Sequence, residues 1–470
     1  MSFENIENVY FIGIGGIGMS ALARYFKEQG KNVSGYDKTS TVLTDALIDE
    51  GIEIHFADSV NNIPAIIRDS PLNTRDTIHA TLVVYTPAIP KDNRELNYFI
   101  DNNYIVKKRS EVLGMITENN FTIAVAGTHG KTTTSSMIAH ILKSAGINCT
   151  AFLGGISKNY QSNFLLSKNA SGKNIFVVEA DEYDRSFLTL HPDIAVITSM
   201  DADHLDIYGD KKYLVDSYRL FAQQLKPEGK LIYKKGLALA DLKVHKSEYS
   251  LTDHCEYTAS EIRIENHRMI FNWNNSSTSI AGLSSEMPGL HNVENAIAAI
   301  AVARQLKISS DKISAAMHSY TGVKRRFDYK LQTDKVVYID DYAHHPEELR
   351  ACISSTRELY PGRKITGIFQ PHLFSRTRDF LDGFVKSLSM LDSLILLDIY
   401  PARELPMPGV TSKLIYDKVS ISDKVLCSMD DVLNELNKRK IDVLLTLGAG
   451  DIDQLVGPIK GQLEKKYSHV

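Results

Sequence analysis

Short apolar runs alternate with amphipathic stretches along this chain, and most runs end in glycine, acidic or histidine residues. The runs at 9–14, 32–36, 82–85, 121–126, 174–178, 193–198, 336–339, 365–369, 394–397 and 443–447 have strand length and few polar interruptions. That is the pattern of strands covered on both faces. Between them lie helix-period segments, such as Met137, Ile138, Ile141 and Leu142 on one face with Gly146 as a stop signal. Such a repeat predicts an α/β chain with mostly parallel sheets whose polar residues gather at the strands' carboxyl ends, where these sheets bind ligands. The stretch 232–285 breaks the habit: its short segments, with Trp273 in a turn-rich part, predict a small antiparallel sheet without chemistry. Residues 288–296 then lead an alanine-rich helix to Leu306, and 69–76 is polar enough to be an exposed loop. At 470 residues the chain exceeds one hydrophobic core, so two to four domains are expected.

Two glycine turns carry the first chemistry. Strand 121–126 runs into Gly127-Thr128-His129-Gly130-Lys131-Thr132-Thr133 and a helix. Backbone N–H groups and the positive helix end converge there, which is a phosphate site. Lys131 can reach β/γ-phosphates, and the Thr132 hydroxyl can hold Mg²⁺. The common phosphate-loop pattern would require glycine at Val125, so this loop is shorter. The other turn, Gly13-Ile14-Gly15-Gly16-Ile17-Gly18, follows the first strand, and Asp37 ends the second. It is a dinucleotide fingerprint in form, yet any diphosphate ester fits the same helix end. Thr86-Pro87-Ala88 follows strand 82–85, as a ligand loop or as a plain turn.

Acids follow two central strands, at 179–184 and 201–206. Glu179 with Thr132 suits Mg²⁺, a hard ion that keeps several waters; His204 would be a less usual ligand for a second Mg²⁺ or Mn²⁺. Asn292 and Asn295 share a helical face and could read an adenine or cap the helix, and the residues alone favour capping. In the last third, Arg325 and Arg326 form a basic cluster, His344 and His345 precede a helix they could cap, and Arg376 and Arg378 follow Gln370-Pro371-His372.

Bulk composition narrows the function. Hydrophobic content of 43% and charged content of 23% are those of a globular protein. A net charge of −4 and a pI near 6.4 advertise neither nucleic acid nor an anionic membrane as partner. No apolar run approaches the roughly 20 residues of a membrane span, and the acidic start is no signal peptide. Four scattered cysteines read as free thiols in a reducing cytoplasm.

The motifs GIGGIGMSALA (13–23), AGTHGKTTT (126–134), EADEYDRSFL (179–188), DADHLDIYG (201–209), PGLHNVENAIAA (288–299), GVKRRFD, DDYAHHP, QPHLFSRT and LGAGDI occur in this order. In them the chain resembles the Mur ligases over nearly its whole length. The resemblance implies three α/β domains: a Rossmann-like UDP-sugar domain (1–109), a central ATPase (110–322) with a mostly parallel sheet plus a small antiparallel one, and a Rossmann-like closing domain (323–470). It implies ATP-dependent joining of L-alanine to the lactyl carboxylate of UDP-N-acetylmuramate in the cytoplasm, by a monomer or weak homodimer. On that reading Gly13, Gly15, Gly16, Ile17 and Gly18 face a UDP diphosphate and not NAD, with Asp37, Thr86, Pro87 and Ala88 near the uridine. Gly127 to Thr133 hold ATP phosphates; Thr132 and Glu179 hold one Mg²⁺ and His204 the second. His291, Asn292, Asn295, Arg326 and Asp341 complete the ATP site. Ser186, His345, His372, Arg376 and Arg403 face the sugar and alanine side. Later-acting relatives carry a modified lysine past the DHxD motif; 213–225 has none. Leu373 stands where many alanine-adding relatives have arginine. A ligase of the same fold attaching a preformed tripeptide shares nearly all these motifs and remains the alternative.

Overall fold

The computed structural model describes residues 3–68, 80–167, 174–201, 208–252, 254–402 and 404–467. The 69–76 stretch, His204 with most of the second acidic motif, and Arg403 lie outside the described residues. Two compact units divide the chain: Met1–Thr258 with Asn274–Thr278 and Asn295–Met317, and Ala259–Trp273 with Ser279–Glu294 and His318–Val470. The chain carries three sheets and is a three-domain α/β protein.

In the first sheet β1 (Asn8–Ile12), β2 (Asn32–Tyr36), β3 (Glu53–His55), β4 (Thr81–Tyr85) and β5 (Ile105–Lys108) lie in the order β3-β2-β1-β4-β5, all parallel. Strand order reverses direction between β1 and β4, which opens a crevice at their carboxyl ends. The turn 13–18 leaves β1 at that point and feeds the helix Ile17–Glu28, whose Met19, Leu22 and Phe26 are buried.

The second sheet has ten strands; seven of them, β6 (Phe121–Ala126), β7 (Cys149–Ser157), β8 (Ser162–Leu165), β9 (Ile175–Glu179), β10 (Ile194–Ile197), β11 (Lys230–Lys234) and β12 (His245–Ser250), lie in the order β12-β11-β10-β6-β9-β7-β8. Of these, only β8, at the edge, is antiparallel to its neighbour. β6 is therefore central, and the helix Lys131–Ser144 that follows it is buried from Thr132 through Leu142.

Here the structure corrects the reading of 232–285. β11 and β12 extend the parallel sheet; three consecutive buried residues, Leu231, Ile232 and Tyr233, mark β11 as covered on both faces. β13 (Tyr257–Glu265), β14 (Arg268–Asn274) and β15 (Ser279–Ser285) follow as neighbouring strands. Trp273 is not in a turn: it lies on β14 and is wholly buried. Period-2 alternation puts it on one face with Met269 and Phe271.

The third sheet holds β16 (Asp328–Gln332), β17 (Val337–Asp341), β18 (Ile365–Phe369), β19 (Ser393–Leu396), β20 (Lys424–Leu426) and β21 (Val443–Leu447), ordered β16-β17-β21-β18-β19-β20. β16 alone is antiparallel. Its strands end in the aspartate, histidine and glycine motifs singled out above.

Candidate active site

The loop after β6 is seated on the carboxyl end of β10. Thr128 Oγ1 donates to the Asp201 carbonyl at 2.9 Å, and His129 N–H donates to Ser199 Oγ at 2.8 Å. Thr198 Oγ1 donates to Ala126 O at 3.2 Å and also to His129 O. Gly127 (φ 135°) and Gly130 (φ 85°) adopt left-handed backbone that side chains rarely tolerate. Gly130 is the N-cap of the helix Lys131–Ser144, so the first amides of that helix face the loop. Asn295, on the helix Leu290–Gln305, reaches the loop: a Cβ on Gly130 would fall 2.5 Å from its Oδ1. Asn292 instead donates to its own helix entry, Pro288 O, at 2.7 Å.

Lys131 folds back over this loop. Its Nζ lies 2.6 Å from Gly127 O and 2.8 Å from Glu182 Oε1. Burial pushes its pKa down, but the charges of Glu182, Asp181 and Glu179 outweigh that and leave it raised, so the amine stays protonated. Thr132 and Thr133, the next two residues of the same turn, are buried.

Glu179 ends β9 and pairs in register with Val125 on β6, which places its carboxylate beside the loop. Gly154 N–H donates to Glu179 Oε2 at 3.1 Å. A Cβ on Gly154 would overlap that carboxylate, so glycine there is a condition of the glutamate's position. Asp181 pairs with Arg109 at 3.3 Å, and Arg109 lies against Gly18. A cavity of about 230 Å³ links these parts, bordered by Gly16, Gly18, Thr86, Arg109, Glu179 and Asp181 among others. The first glycine turn and the acid beside the second loop thus open on one space. Asp37 does not point outward: its Oδ2 accepts from Gly15 N–H at 2.7 Å and closes the turn. Pro87 and Ala88 are exposed beyond Thr86, and Ser186 lies half-buried in the turn Tyr183–Thr189.

The fit to Mg²⁺ rests on donor chemistry. A threonine hydroxyl and a carboxylate are hard oxygen donors, and three acids around one lysine leave an excess of negative charge. Among the described residues no three His, Cys, Asp or Glu side chains converge as a cage, so an ion held by Thr132 and Glu179 would keep water and phosphate oxygens.

The second unit gathers the remaining residues. Arg326 Nη1 is 3.7 Å from Glu348 Oε1, and both Arg325 and Arg326 lie over the Tyr342 ring, at 5.2 and 5.1 Å. Asp341 accepts from Phe327 N–H (2.6 Å) and Ala343 N–H (2.8 Å). His345 is the N-cap of the helix Pro346–Leu359, its ring edge-on to Phe380 at 4.9 Å. Sequence admitted that capping reading beside the functional one. His372 stacks on Tyr400 and lies 3.4 Å from buried Arg376. Leu373 is buried at 4% exposure with φ 71°, a strained position for a branched side chain that packs inward.

Asp341 is the titrating group here. Burial lifts its carboxyl to about 6 against the pull of Arg326. An aspartate raised in the fold loses stability as pH rises from its unfolded value near 3.9 towards about 6. Asp341→Asn removes that slope, so this variant gains stability relative to the parent between about pH 4 and about pH 7, measured by urea unfolding at both pH values. A loss over that interval contradicts the assignment.

Sequence reasoning gave no role to Arg109 or Gly154 and read Asp181 and Glu182 only as part of the acidic cluster 179–184. Gly154 carried no signal, since its role appears only when β7 lies beside β9.

A phosphate-type glycine loop with a charged lysine, an acid at the neighbouring strand end and a second glycine turn on the same cavity define a multidomain α/β nucleotide-binding enzyme. Comparison with known proteins narrows the class. The chain matches the Mur ligase family, catalytic domain over residues 8–120, the Mur ligase middle domain over 125–303, and the Mur ligase, glutamate ligase domain over 325–450. It belongs to the Mur ligase family. It is 50% identical over 465 residues to a UDP-N-acetylmuramate–L-alanine ligase of Flavobacterium johnsoniae, covering 99% of this chain and 100% of the relative. It is 50% identical to the enzyme of that name from Porphyromonas gingivalis, covering 98% and 99%. A solved UDP-N-acetylmuramate-alanine ligase from Thermotoga maritima superposes with TM-score 0.80 at 26% identity, covering 98% of this chain and 99% of that one. A murein peptide ligase from Psychrobacter arcticus shares the fold, with TM-score 0.71 at 22% identity over 97% and 98%. No helix among the described residues is long and apolar enough to cross a membrane.

Proposed function

We propose that this chain is an ATP-dependent amide ligase that joins L-alanine to the lactyl carboxylate of UDP-N-acetylmuramate, supplying peptidoglycan precursor in the cytoplasm. The observation that carries the reading is the cavity shared by the 13–18 turn and Glu179, with the Lys131 loop on the adjacent strand. Names of the half-identical relatives support the choice of sugar and amino acid. The domains are taken as 1–109 for the UDP-sugar, 110–322 for ATP and 323–470 as the third.

The chemistry asks for no protein nucleophile. One lactyl carboxylate oxygen attacks the γ-phosphorus of ATP, the bond to the β-phosphate oxygen breaks, and ADP leaves an acyl phosphate. The unprotonated amine nitrogen of L-alanine then attacks the acyl carbon, and phosphate departs as the amide forms, with one proton lost from nitrogen. Both anions must approach each other, so the protein's work is positioning and charge neutralisation. Gly127 to Thr133 cradle the phosphates through backbone N–H groups, Lys131 neutralises them, and Asn295 borders the loop. Thr132 and Glu179 would hold Mg²⁺, which offsets charge on the phosphate oxygens; His204 is assigned to a second ion. His291, Asn292, Arg326 and Asp341 are assigned to ATP. Gly13 to Gly18, Asp37, Thr86 to Ala88 and Ser186 are assigned to the UDP-sugar, and His345, His372, Arg376 and Arg403 to the acyl and amine side.

The test is ADP formation from UDP-N-acetylmuramate and ATP across the free amino acids and L-Ala-γ-D-Glu-diaminopimelate. Turnover with L-alanine and none with the tripeptide is expected. The reverse preference would transfer the protein to the tripeptide-adding branch of the family.

A further inference from the structure

Lys131 is the residue on which phosphate neutralisation depends, yet in this structure its amine is already fully engaged. Both carboxylate oxygens of Glu182 lie 2.8 Å from Nζ, and Gly127 O lies at 2.6 Å. Glu182 is 1% exposed and the Lys131 side chain 13%, so the pair is shielded from solvent and weakly screened. Glu182 is held from behind: the Tyr208 hydroxyl donates to its carbonyl at 2.6 Å. Its segment is tied on either side by Arg109 to Asp181 at 3.3 Å and Lys108 to Asp184 at 3.1 Å. The two residues after Tyr183 are in left-handed backbone, Asp184 at φ 52° and Arg185 at φ 55°, which costs free energy that surrounding contacts must offset. Strain of this kind beside a buried acid marks a segment shaped for a task other than packing.

We propose that Glu182 is a positioning residue that acts as a built-in stand-in for the polyphosphate, holding Lys131 folded over the phosphate loop until a nucleotide displaces it. A carboxylate presents two anionic oxygens to the amine, as a phosphate does, and both compete for one cation. Nucleotide entry then carries a cost: Glu182 surrenders its counter-charge in a buried place and faces an arriving anion. The proposal rests on the ATP-loop reading above and adds to it a residue that opposes ATP binding.

The opposing sign makes the idea testable. Titration of Mg·ADP into the full chain without sugar, followed by calorimetry, compares the parent with Glu182→Gln and Glu182→Asp. Glutamine keeps the shape and a hydrogen-bond acceptor but removes the charge, so Kd is expected to fall about tenfold, with KM for ATP falling in parallel. That factor corresponds to about 1.4 kcal/mol. Aspartate keeps the charge and should bind no more tightly than the parent. A purely structural role for Glu182 predicts weaker binding in both variants. Unchanged or weaker binding by the glutamine variant, with its thermal unfolding cooperative, overturns the proposal. A parent chain that binds no nucleotide would instead overturn the loop assignment itself, and this inference with it.

Discussion

Lys131→Ala is expected to abolish turnover, with a loss of about 10²-fold or more in kcat, as for removal of a group that stabilises developing charge. UDP-N-acetylmuramate binding should survive, because the cavity proposed above for the sugar is bordered by residues of the first turn and not by Lys131. Substitution has a second effect that a sequence motif would not disclose. It leaves the Glu182 carboxylate, 1% exposed, without its cation. Breaking a buried pair from one side costs about 3–5 kcal/mol, against the usual net stability of about 5–15 kcal/mol. Lys131→Ala should therefore unfold at markedly lower urea concentration, and Lys131→Ala/Glu182→Gln should recover most of that loss while remaining inactive. Separate measurements of urea midpoint and ADP release decide the matter. A double variant as unstable as the single one would show that the pair is not what holds this region.

Gly154→Ala is the other large effect. The methyl would overlap the carboxylate of Glu179, which must swing from β9 or push β7 aside. Gly154 N–H also stops being its donor in that geometry. Misplacing a metal ligand by its support typically costs 10–100-fold in metal affinity or activity. The expected result is a rise of about tenfold or more in the Mg²⁺ concentration needed for half-maximal turnover, with the rate partly restored at high Mg²⁺. Unaltered Mg²⁺ dependence would detach Glu179 from the metal role. Nothing at Gly154 calls for special backbone torsions; the requirement is space alone.

Much of the fold was legible because its signals are local. Apolar runs of strand length, glycine turns and the helix of residues 131–144 each depend on neighbours within a few positions. The 232–285 region misled for the same reason. Short segments look alike whether their partners run parallel or antiparallel, and only pairing with β10 shows that β11 belongs to the parallel sheet. Trp273 was read within a turn-rich stretch although the alternation Met269, Phe271, Trp273 was present; the flanking asparagines hid it. His345 shows the limit from another side. One residue type serves as helix cap and as candidate acid or base, and the observed cap leaves the functional role to experiment.

By itself the sequence determined the α/β class, the two glycine turns, the acids at strand ends and membership in a ligase family, since these are carried by contiguous motifs. Tertiary structure alone decided which charges meet. Glu182 finds Lys131 across 51 positions, Gly154 finds Glu179 across 25, and Arg109 finds Asp181 across 72. Such partners are set by strand order and by the absence of a competing solvent, and neither is written in the spacing of residues along the chain.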